Sequence, residues 1–312
     1  HERYHDACWH EHYRQQDASG KWDRYCSQDC GYELDYLGRR TYLAMSLGAR
    51  AIAVLGGGQT LMGAITAAGL TANLQLCLDA GDPLSYPSAG KWLDRSGNGY
   101  DFNRGDGATS TTFPTFVPLG AQSYWSFDGG DYFTYDTTNE TWMENLHKNN
   151  AAFTILYLYF NNATGGSDGE SFVGSTGSGF GVGVYFTQVG NAIRFAVNNG
   201  TIESLAASGS TVPTANWHFA AVSIAEATGA GGGFLYLDGA YNQVSGADTF
   251  DATYLLPSSS NAAATMQIAA IGNNFSPTPN LNRGAGVAAW STSLSKANLD
   301  TIWTAMRARF GL

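Results

Sequence analysis

The chain has 312 residues, of which 44% are hydrophobic and 13% are charged. This composition excludes a disordered protein, and the length suits two domains of unequal size. The formal net charge of −10 at pH 7 repels phosphate backbones, which argues against nucleic acid as a partner.

The first 70 residues have the composition of helices. The runs "ACWHEHYRQQ" and "CGYELDYLGRRTYLAMSLGARAIAVL" are rich in good helix formers and lack the alternation of β-branched residues that marks strands. The turn-like "DASGKW" separates them. We therefore expect residues 1–70 to form a helical N-terminal segment that acts as an anchor.

An uncharged stretch, "AIAVLGGGQTLMGAITAAGLTANLQLCL", follows from residue 51 to residue 78. It is long enough to cross a bilayer, but Gly and Ala dominate it, and small residues also suit close helix packing. We expect residues 51–70 to pack within an assembly, such as a homo-oligomer. Membrane contact through the same residues is the alternative.

From residue 71 the sequence pattern changes. Short apolar runs now alternate with clusters of Gly, Pro, Asn and Ser, and the chain as a whole contains 39 glycines. Short strands at regular spacing predict an all-β sandwich over residues 71–312. In "FLYLDGAY", Asp238-Gly239 predicts a hairpin turn, because glycine tolerates positive φ. We expect Trp217, Phe219 and Trp290 to point inward between the two sheets.

The chain closes with "SLSKANLDTIWTAMRARFGL", in which a serine precedes an amphipathic pattern. This predicts a capped terminal helix that buries one face. The residues on that face are Leu299, Ile302, Trp303 and Met306.

Four blocks carry a resemblance to a known fold family. They are "LDAGDPLSYPSAGKWLDRSGNG", "WSFDGGDYFTY", "ANWHFAAVSI" with "GFLYLDGAYNQ", and "IAAIGNN" with "GAGVAAWSTSLSKANLDTIW". In this order they resemble a concanavalin A-like, laminin-G-type sandwich covering about 74–312. The resemblance implies a mainly β fold, a two-sheet antiparallel jelly roll. Members bind glycans or proteins, hydrolyse glucans or build particles, so the fold alone does not choose a function.

Hydrolases of this family carry paired carboxylates as Glu-x-Asp-x-x-Glu on one strand, and that pattern is missing here. Calcium is the cofactor that the sandwich could hold. Asp79, Asp82 and Asp94, with Asn98 and Asp101 nearby, supply hard oxygen ligands in two adjacent loops.

The N-terminal segment concentrates chemically active side chains. Cys8 and His12 are followed by Cys26 and Cys30, which offers four ligands suited to zinc. The same cysteines could instead form a disulfide, and a polar helix pair without any site is a further reading.

A second resemblance concerns residues 1–40. "HDACW" and "DCGYEL" are similar to the paired helices of phospholipase A2. By this resemblance His5 would be the general base, Asp29 would orient its ring, and Asp6 would bind calcium. Because the chain as given begins four residues before His5, we expect a remnant scaffold with negligible ester hydrolysis.

A small helical anchor fused to a glycine-rich sandwich resembles the exposed particle proteins of tailed phages. The leading hypothesis is a non-catalytic virion structural or adhesion protein, located on the virion surface or outside cells. Its partners would be other virion proteins and a host surface glycan. The alternatives are a phospholipase A2-like, lipid-acting enzyme with a sandwich for targeting, and a secreted bacterial glycan-binding module.

Overall fold

The structure is a computed structural model that describes residues 12–16, 22–26, 59–86, 90–148, 151–162, 170–177, 181–190, 192–201, 203–207, 212–225, 233–243, 258–272 and 282–312. The chain divides into two compact units, His1–Leu55 and Gly56–Leu312. The division therefore falls ahead of the boundary that we expected at residue 70.

The first unit contains an antiparallel hairpin of strands β1 (His12–Gln16) and β2 (Trp22–Cys26), in which His12 lies opposite Cys26. The helix predicted over "ACWHEHYRQQ" is therefore wrong at residues 12–16. Helix propensities differ by less than ~1 kcal/mol per residue, so pairing across the turn that "DASGKW" signals can override them. The motifs that carry the phospholipase resemblance, "HDACW" and "DCGYEL", lie outside the described residues.

The second unit is built mainly from strands, with three α-helices in its described part. Its strands are β3 (Leu74–Asp79), β4 (Lys91–Trp92), β5 (Phe102–Arg104), β6 (Thr115–Val117), β7 (Tyr124–Ser126), β8 (Phe133–Tyr135), β9 (Ala152–Asn161), β10 (Glu170–Gly174), β11 (Gly183–Val189), β12 (Ala192–Asn198), β13 (Glu203–Ala207), β14 (Asn216–Ala225), β15 (Gly233–Leu237), β16 (Ala240–Gln243), β17 (Gln267–Ile268) and β18 (Arg283–Trp290). The helices are α1 (Leu61–Ala67), α2 (Thr141–Asn145) and α3 (Lys296–Arg307).

The strands form two antiparallel sheets of eight strands each. One has the order β13-β12-β11-β10-β17-β8-β5-β4. The other has the order β16-β15-β14-β9-β18-β7-β6, and β3 also pairs with β18. A cluster of apolar residues from both sheets, including Phe153, Tyr157, Phe172 and Phe195, fills the space between them. The second unit is therefore a β-sandwich, as the strand pattern predicted.

The sheet that contains β9 is buried on both faces. Its outer face packs with α1 and α3 in a second apolar cluster, which includes Phe219, Trp290 and Trp303. The expectation that Trp217, Phe219 and Trp290 point between the sheets is therefore wrong. Phe219 and Trp290 face the helices, and Trp217 is half-buried and packed against that helix-side cluster.

Helix α1 belongs to the sandwich unit. Leu61, Ala64 and Ile65 are buried against the helix-covered sheet and α3, and Thr60 caps the helix by accepting a hydrogen bond from the Gly63 N–H. In the described part of the stretch, Ala64 thus packs within the chain itself, while residues 51–58 lie outside the described residues. No helix in the described part of the chain is long and apolar enough to span a membrane.

The two local patterns near the end of the chain are confirmed. Asp238 and Gly239 join β15 to β16 with φ values of 52° and 88°. Ser295 caps α3 through a reciprocal capping box with Asn298. The α3 residues buried in the structure are the four expected, Leu299, Ile302, Trp303 and Met306.

A fully buried ion pair ties the chain terminus to the start of the sandwich. Arg309 donates from Nη1 to Oδ2 of Asp79 at 2.9 Å, and its Nη2 lies 2.8 Å from Oδ1. The same carboxylate accepts hydrogen bonds from the Leu61 N–H at 2.7 Å and the Gly81 N–H at 2.8 Å. One side chain therefore joins α1, β3 and the C-terminal turn.

We expect Arg309→Met to lower the free energy of unfolding by about 3–5 kcal/mol, because it leaves the Asp79 charge buried and unpaired. Urea unfolding followed by tryptophan fluorescence measures the change. Arg307→Met removes an exposed charge from the same end of α3 and should stay within about 0.5 kcal/mol of the parent chain. Equal losses for the two variants would contradict a special role for the pair.

Asp131 is a buried acid next to Asp128, whose N–H it accepts at 3.0 Å. Burial raises the pKa of its carboxyl from the ordinary 3.8 to about 6, and the Asp128 charge adds to the rise. Because the folded state raises this pKa, protonation stabilises the fold. That stability is complete below pH 3.8 and is lost as the pH rises through about 6.

We therefore expect Asp131→Asn to be more stable than the parent by about 1 kcal/mol near neutral pH, after allowing for screening. The amide keeps an oxygen that can accept the Asp128 N–H but carries no charge. Thermal unfolding across the acidic and neutral range tests this. The gain should vanish in acid, and a gain of the same size at every pH would show that the carboxyl charge is not its source.

Candidate functional site

An open cleft of about 460 Å³ lies at the end of the sandwich where β9 begins and β18 ends. Five separate stretches of the chain supply its walls: β3, the loop before β5, α2 with its flanks, the start of β9, and the residue after β18. The residues that line it are Gln75, Tyr100, Glu140, Thr141, Trp142, Asn145, Leu146, Ala151, Ala152, Phe153 and Ser291.

Helix α2 forms one wall, and its neighbours hold it in place. Met143 and Leu146 are buried in the core between the sheets, which leaves Trp142 partly exposed in the cleft. Asn139, just ahead of the helix, bonds both ways with another segment: its Nδ2 donates to Ala264 O at 2.9 Å, and its Oδ1 accepts from the Met266 N–H at 2.7 Å. The position of Trp142 therefore follows from the fold.

Tyr100 continues the aromatic wall. Its ring centroid lies 6.2 Å from that of Trp142, with 36° between the planes, and 6.1 Å from that of Tyr135. Tyr135 donates from its hydroxyl to Oε1 of Glu140 at 2.7 Å. The result is a shelf of adjoining rings with a carboxylate at its edge.

Both tyrosine hydroxyls keep their protons at neutral pH. Burial, followed by the nearby Glu140 charge, raises the pKa of Tyr100. Burial raises the pKa of Tyr135 to about 12, and Glu140 reinforces the rise. The cleft is therefore lined by a neutral tyrosine, Tyr100, near the carboxylate of Glu140, whose hydrogen-bond donor Tyr135 is also neutral.

Amide and hydroxyl groups complete the lining. Gln75 donates from Nε2 to Ser291 Oγ at 3.0 Å, and Asn145 is exposed at the end of α2. Phe153 closes the base from the core. Among the residues that line the cleft, Glu140 is the one carboxylate. Since glycoside hydrolysis uses two facing carboxyl groups, this lining suits binding better than that chemistry.

The three aspartates considered for calcium are in the described part, but the structure gives them protein partners instead of bringing them together. Asp79 pairs with Arg309, and Asp82 accepts from Nε of Arg95 at 3.1 Å. Asp94 accepts four hydrogen bonds, from the N–H groups of Cys77, Ser96 and Tyr100 and from the Ser96 hydroxyl. In the described ranges, no three His, Cys, Asp or Glu side chains come together as a metal-binding group.

The N-terminal candidates fall mostly outside the described residues. These are His5, Asp6, Cys8, Asp29 and Cys30, so the proposed base, its orienting acid and half of the zinc set stay predictions. Of the zinc set, His12 and Cys26 are opposite each other in the β1–β2 hairpin. They therefore lie on paired strands, whereas the composition of residues 1–70 predicted helices.

Sequence reasoning did not identify the cleft. Its aromatic residues, Tyr100 and Trp142, lie in different segments and follow no motif. "TWMEN" is a five-residue helix without a recognisable cap motif, since Glu140 makes no side-chain capping bond. The sequence contains no local motif for this site, because its residues become neighbours only when the fold brings separate segments together.

No protein-family model and no curated protein matches the sequence. Solved structures do share its fold. The binding domain of botulinum neurotoxin DC in complex with rat synaptotagmin II is 13% identical with a TM-score of 0.54, and the match covers 76% of this chain and 52% of that one. Trypanosoma rangeli sialidase in complex with sialic acid is also 13% identical, with a TM-score of 0.51, and the match covers 76% of this chain and 34% of that one.

A third match is a structure of botulinum neurotoxin type C, described as showing that cell entry depends on interaction with two ganglioside molecules. It is 13% identical with a TM-score of 0.53, and the match covers 77% of this chain and 53% of that one. The chain thus spans about half the length of the neurotoxin domains it matches. At these identities the likeness shows the fold alone. It confirms the two-sheet antiparallel sandwich predicted from the sequence, and gives no support to the phage or phospholipase resemblance.

We expect Asp94→Ala to destabilise the chain by about 2–3 kcal/mol, because it leaves the buried Cys77 N–H without an acceptor. The loss should be the same in millimolar calcium and in EDTA, as measured by urea unfolding. Asp94→Asn, which keeps one acceptor oxygen, should lose less. A calcium-dependent stability that disappears in Asp94→Ala would instead show that these aspartates hold an ion.

Proposed function

We propose that this chain is a non-catalytic, lectin-like binding protein whose sandwich takes a neutral glycan into the aromatic cleft. The observation that carries the proposal is the shelf formed by Trp142 and Tyr100, two partly exposed rings 6.2 Å apart, with amide and hydroxyl groups around them. Few side chains other than aromatic ones can offer a flat apolar surface that is already ordered before a ligand arrives.

The chemistry of the lining fits a sugar. The C–H face of a pyranose packs against an aromatic ring, while its hydroxyls require donors and acceptors at the rim. Gln75, Asn145 and Ser291 provide both, and Glu140 accepts. A volume of about 460 Å³ lies within the ordinary range of small-ligand sites.

The wider role is part of the same proposal. An adhesion protein on the surface of a virion, or outside cells, would present the cleft to a host glycan, while the N-terminal unit contacts other particle proteins or further copies of the chain. What supports this is the combination of a rigid sandwich and a ready-made sugar-type cleft. Mass spectrometry of purified particles would locate the protein, and its absence from them would leave the secreted binding module.

We expect Trp142→Ala to weaken binding of neutral oligosaccharides at least tenfold, because truncating an aromatic anchor removes about 2 kcal/mol of binding free energy. A glycan array identifies the ligand, and isothermal titration of the full chain gives the affinities. Trp142→Phe should retain part of the binding.

The control is Leu119→Ala, which removes an exposed apolar side chain outside the cleft and should leave the affinity unchanged. Thermal unfolding confirms that each variant is folded. Neutral-glycan binding that survives Trp142→Ala in a folded protein would rule out the cleft as the site.

A further inference from the structure

An arginine and several aromatic rings form a row on the outer face of the helix-covered sheet. In the strand register Arg283 on β18 lies opposite Ser126 on β7 and Phe160 on β9, and Phe160 lies opposite Trp217 on β14. Directly opposed residues project from the same face of a sheet. All four are half-buried, so the row is open to solvent in part.

The guanidinium of Arg283 is held against two rings. Its Cζ lies 4.4 Å from the centroid of Phe160 and 4.8 Å from that of Tyr124. Cation–π contact at these distances orders a long side chain without using its N–H groups. Trp217 extends the row and is itself fixed by stacking on Phe310, with centroids 4.3 Å apart.

Unlike many cations of this protein, Arg283 has no carboxylate partner or hydrogen-bond acceptor among the residues that the structure describes. Four others are paired: Lys91 with Asp136, Arg95 with Asp82, Lys296 with Asp300, and Arg309 with Asp79. An arginine that is ordered but unpaired is prepared to bind an anion, because the planar fork donates two parallel hydrogen bonds to a carboxylate.

From this arrangement we propose that the row of Ser126, Arg283, Phe160 and Trp217, with Tyr124, is a second binding site, and that it takes an acidic saccharide. The sugar's carboxylate pairs with the Arg283 fork, and its ring packs against the neighbouring aromatic surface. The site goes beyond the function proposed above, since it is separate from the cleft. Residues 152 and 160 stand at the two ends of β9, roughly 26 Å apart on an extended strand.

The surroundings favour a saccharide over an acidic peptide. Peptides commonly bind a sheet by adding a strand to a free edge. At this position β18 is paired on both sides, with β7 and β9, and β9 is paired with β14 and β18. With no free edge beside Arg283 and Phe160, that part of the row offers side-chain groups alone, and a compact anionic ring is the ligand that needs nothing more.

The test is isothermal titration of the full chain with sialyllactose, sulfated lactose and lactose. We expect the two acidic sugars to bind more tightly than lactose, and Arg283→Gln to remove that difference, a loss of about tenfold or more in affinity for each. Arg283→Lys keeps the charge but not the fork. It should lose more affinity for the carboxylated sugar than for the sulfated one if the carboxylate is the natural group.

Arg104 supplies a matched control. It also contacts two rings, with Cζ 5.1 Å from the centroid of Phe113 and 5.7 Å from that of Trp125, but its guanidinium already donates to Pro114 O. Arg104→Gln should leave the preference for acidic sugars unchanged, with folding checked by thermal unfolding. Arg307→Gln, which removes an exposed charge, is the second control.

The experiments can reject the cleft and the Arg283 site independently of each other. Loss of lactose binding in Trp142→Ala with the acidic preference retained supports both sites. Equal binding of all three sugars, or a preference that survives Arg283→Gln in a folded protein, overturns the site proposed here without touching the cleft. Binding of a polyglutamate peptide through Arg283 with no preference among the sugars also overturns it.

Discussion

The buried pair of Asp79 and Arg309 is the interaction on which the sandwich unit depends. Burying two charges is costly unless they pair closely. Here the Asp79 carboxylate also accepts from the Leu61 and Gly81 N–H groups, whereas Nε of Arg309 has no acceptor among the described residues. The pair also explains a glycine. A Cβ at Gly81 would collide with Ala121 O and with Nη2 of Arg309, so no other residue fits there. Helix α1, strand β3 and the chain terminus are thereby joined, although Asp79 and Arg309 are 230 residues apart.

The same sheet that takes this pair gives the protein two places for ligands. Strand β9 is buried on both faces along most of its length, by the opposite sheet on one side and by α1 and α3 on the other. Its two ends emerge from that packing. At one end α2 and Tyr100 form the cleft, and at the other Phe160 joins Arg283 and Trp217. A strand fixed by core packing is a rigid support, so neither surface has to become ordered when a ligand binds.

The features that local chemistry determines could be predicted from the sequence, whereas those that depend on packing between distant segments could not. The strands after residue 71, the Asp238-Gly239 turn and the capped helix α3 follow from periodicity, positive φ and capping. The direction of Phe219 and Trp290 does not, because a strand that is apolar on both faces carries no polar alternation to distinguish them. The hairpin at residues 12–16 and 22–26 does not follow from composition, because helix propensity is weak and the pairing of two strands overrides it. The cleft was missed because its walls come from separate segments.

The net charge of −10 does not prevent an acidic ligand from binding at Arg283. At physiological ionic strength, exposed charges more than about 8 Å apart are largely screened, so the local arrangement outweighs the total. Many of the protein's carboxylates are also engaged: Asp79, Asp82 and Asp94 accept hydrogen bonds from arginine or backbone N–H groups. Carboxylates used in this way hold the fold and are not free to pair with Arg283. An ordered arginine without such a partner therefore keeps its attraction for an anion, even on an acidic protein.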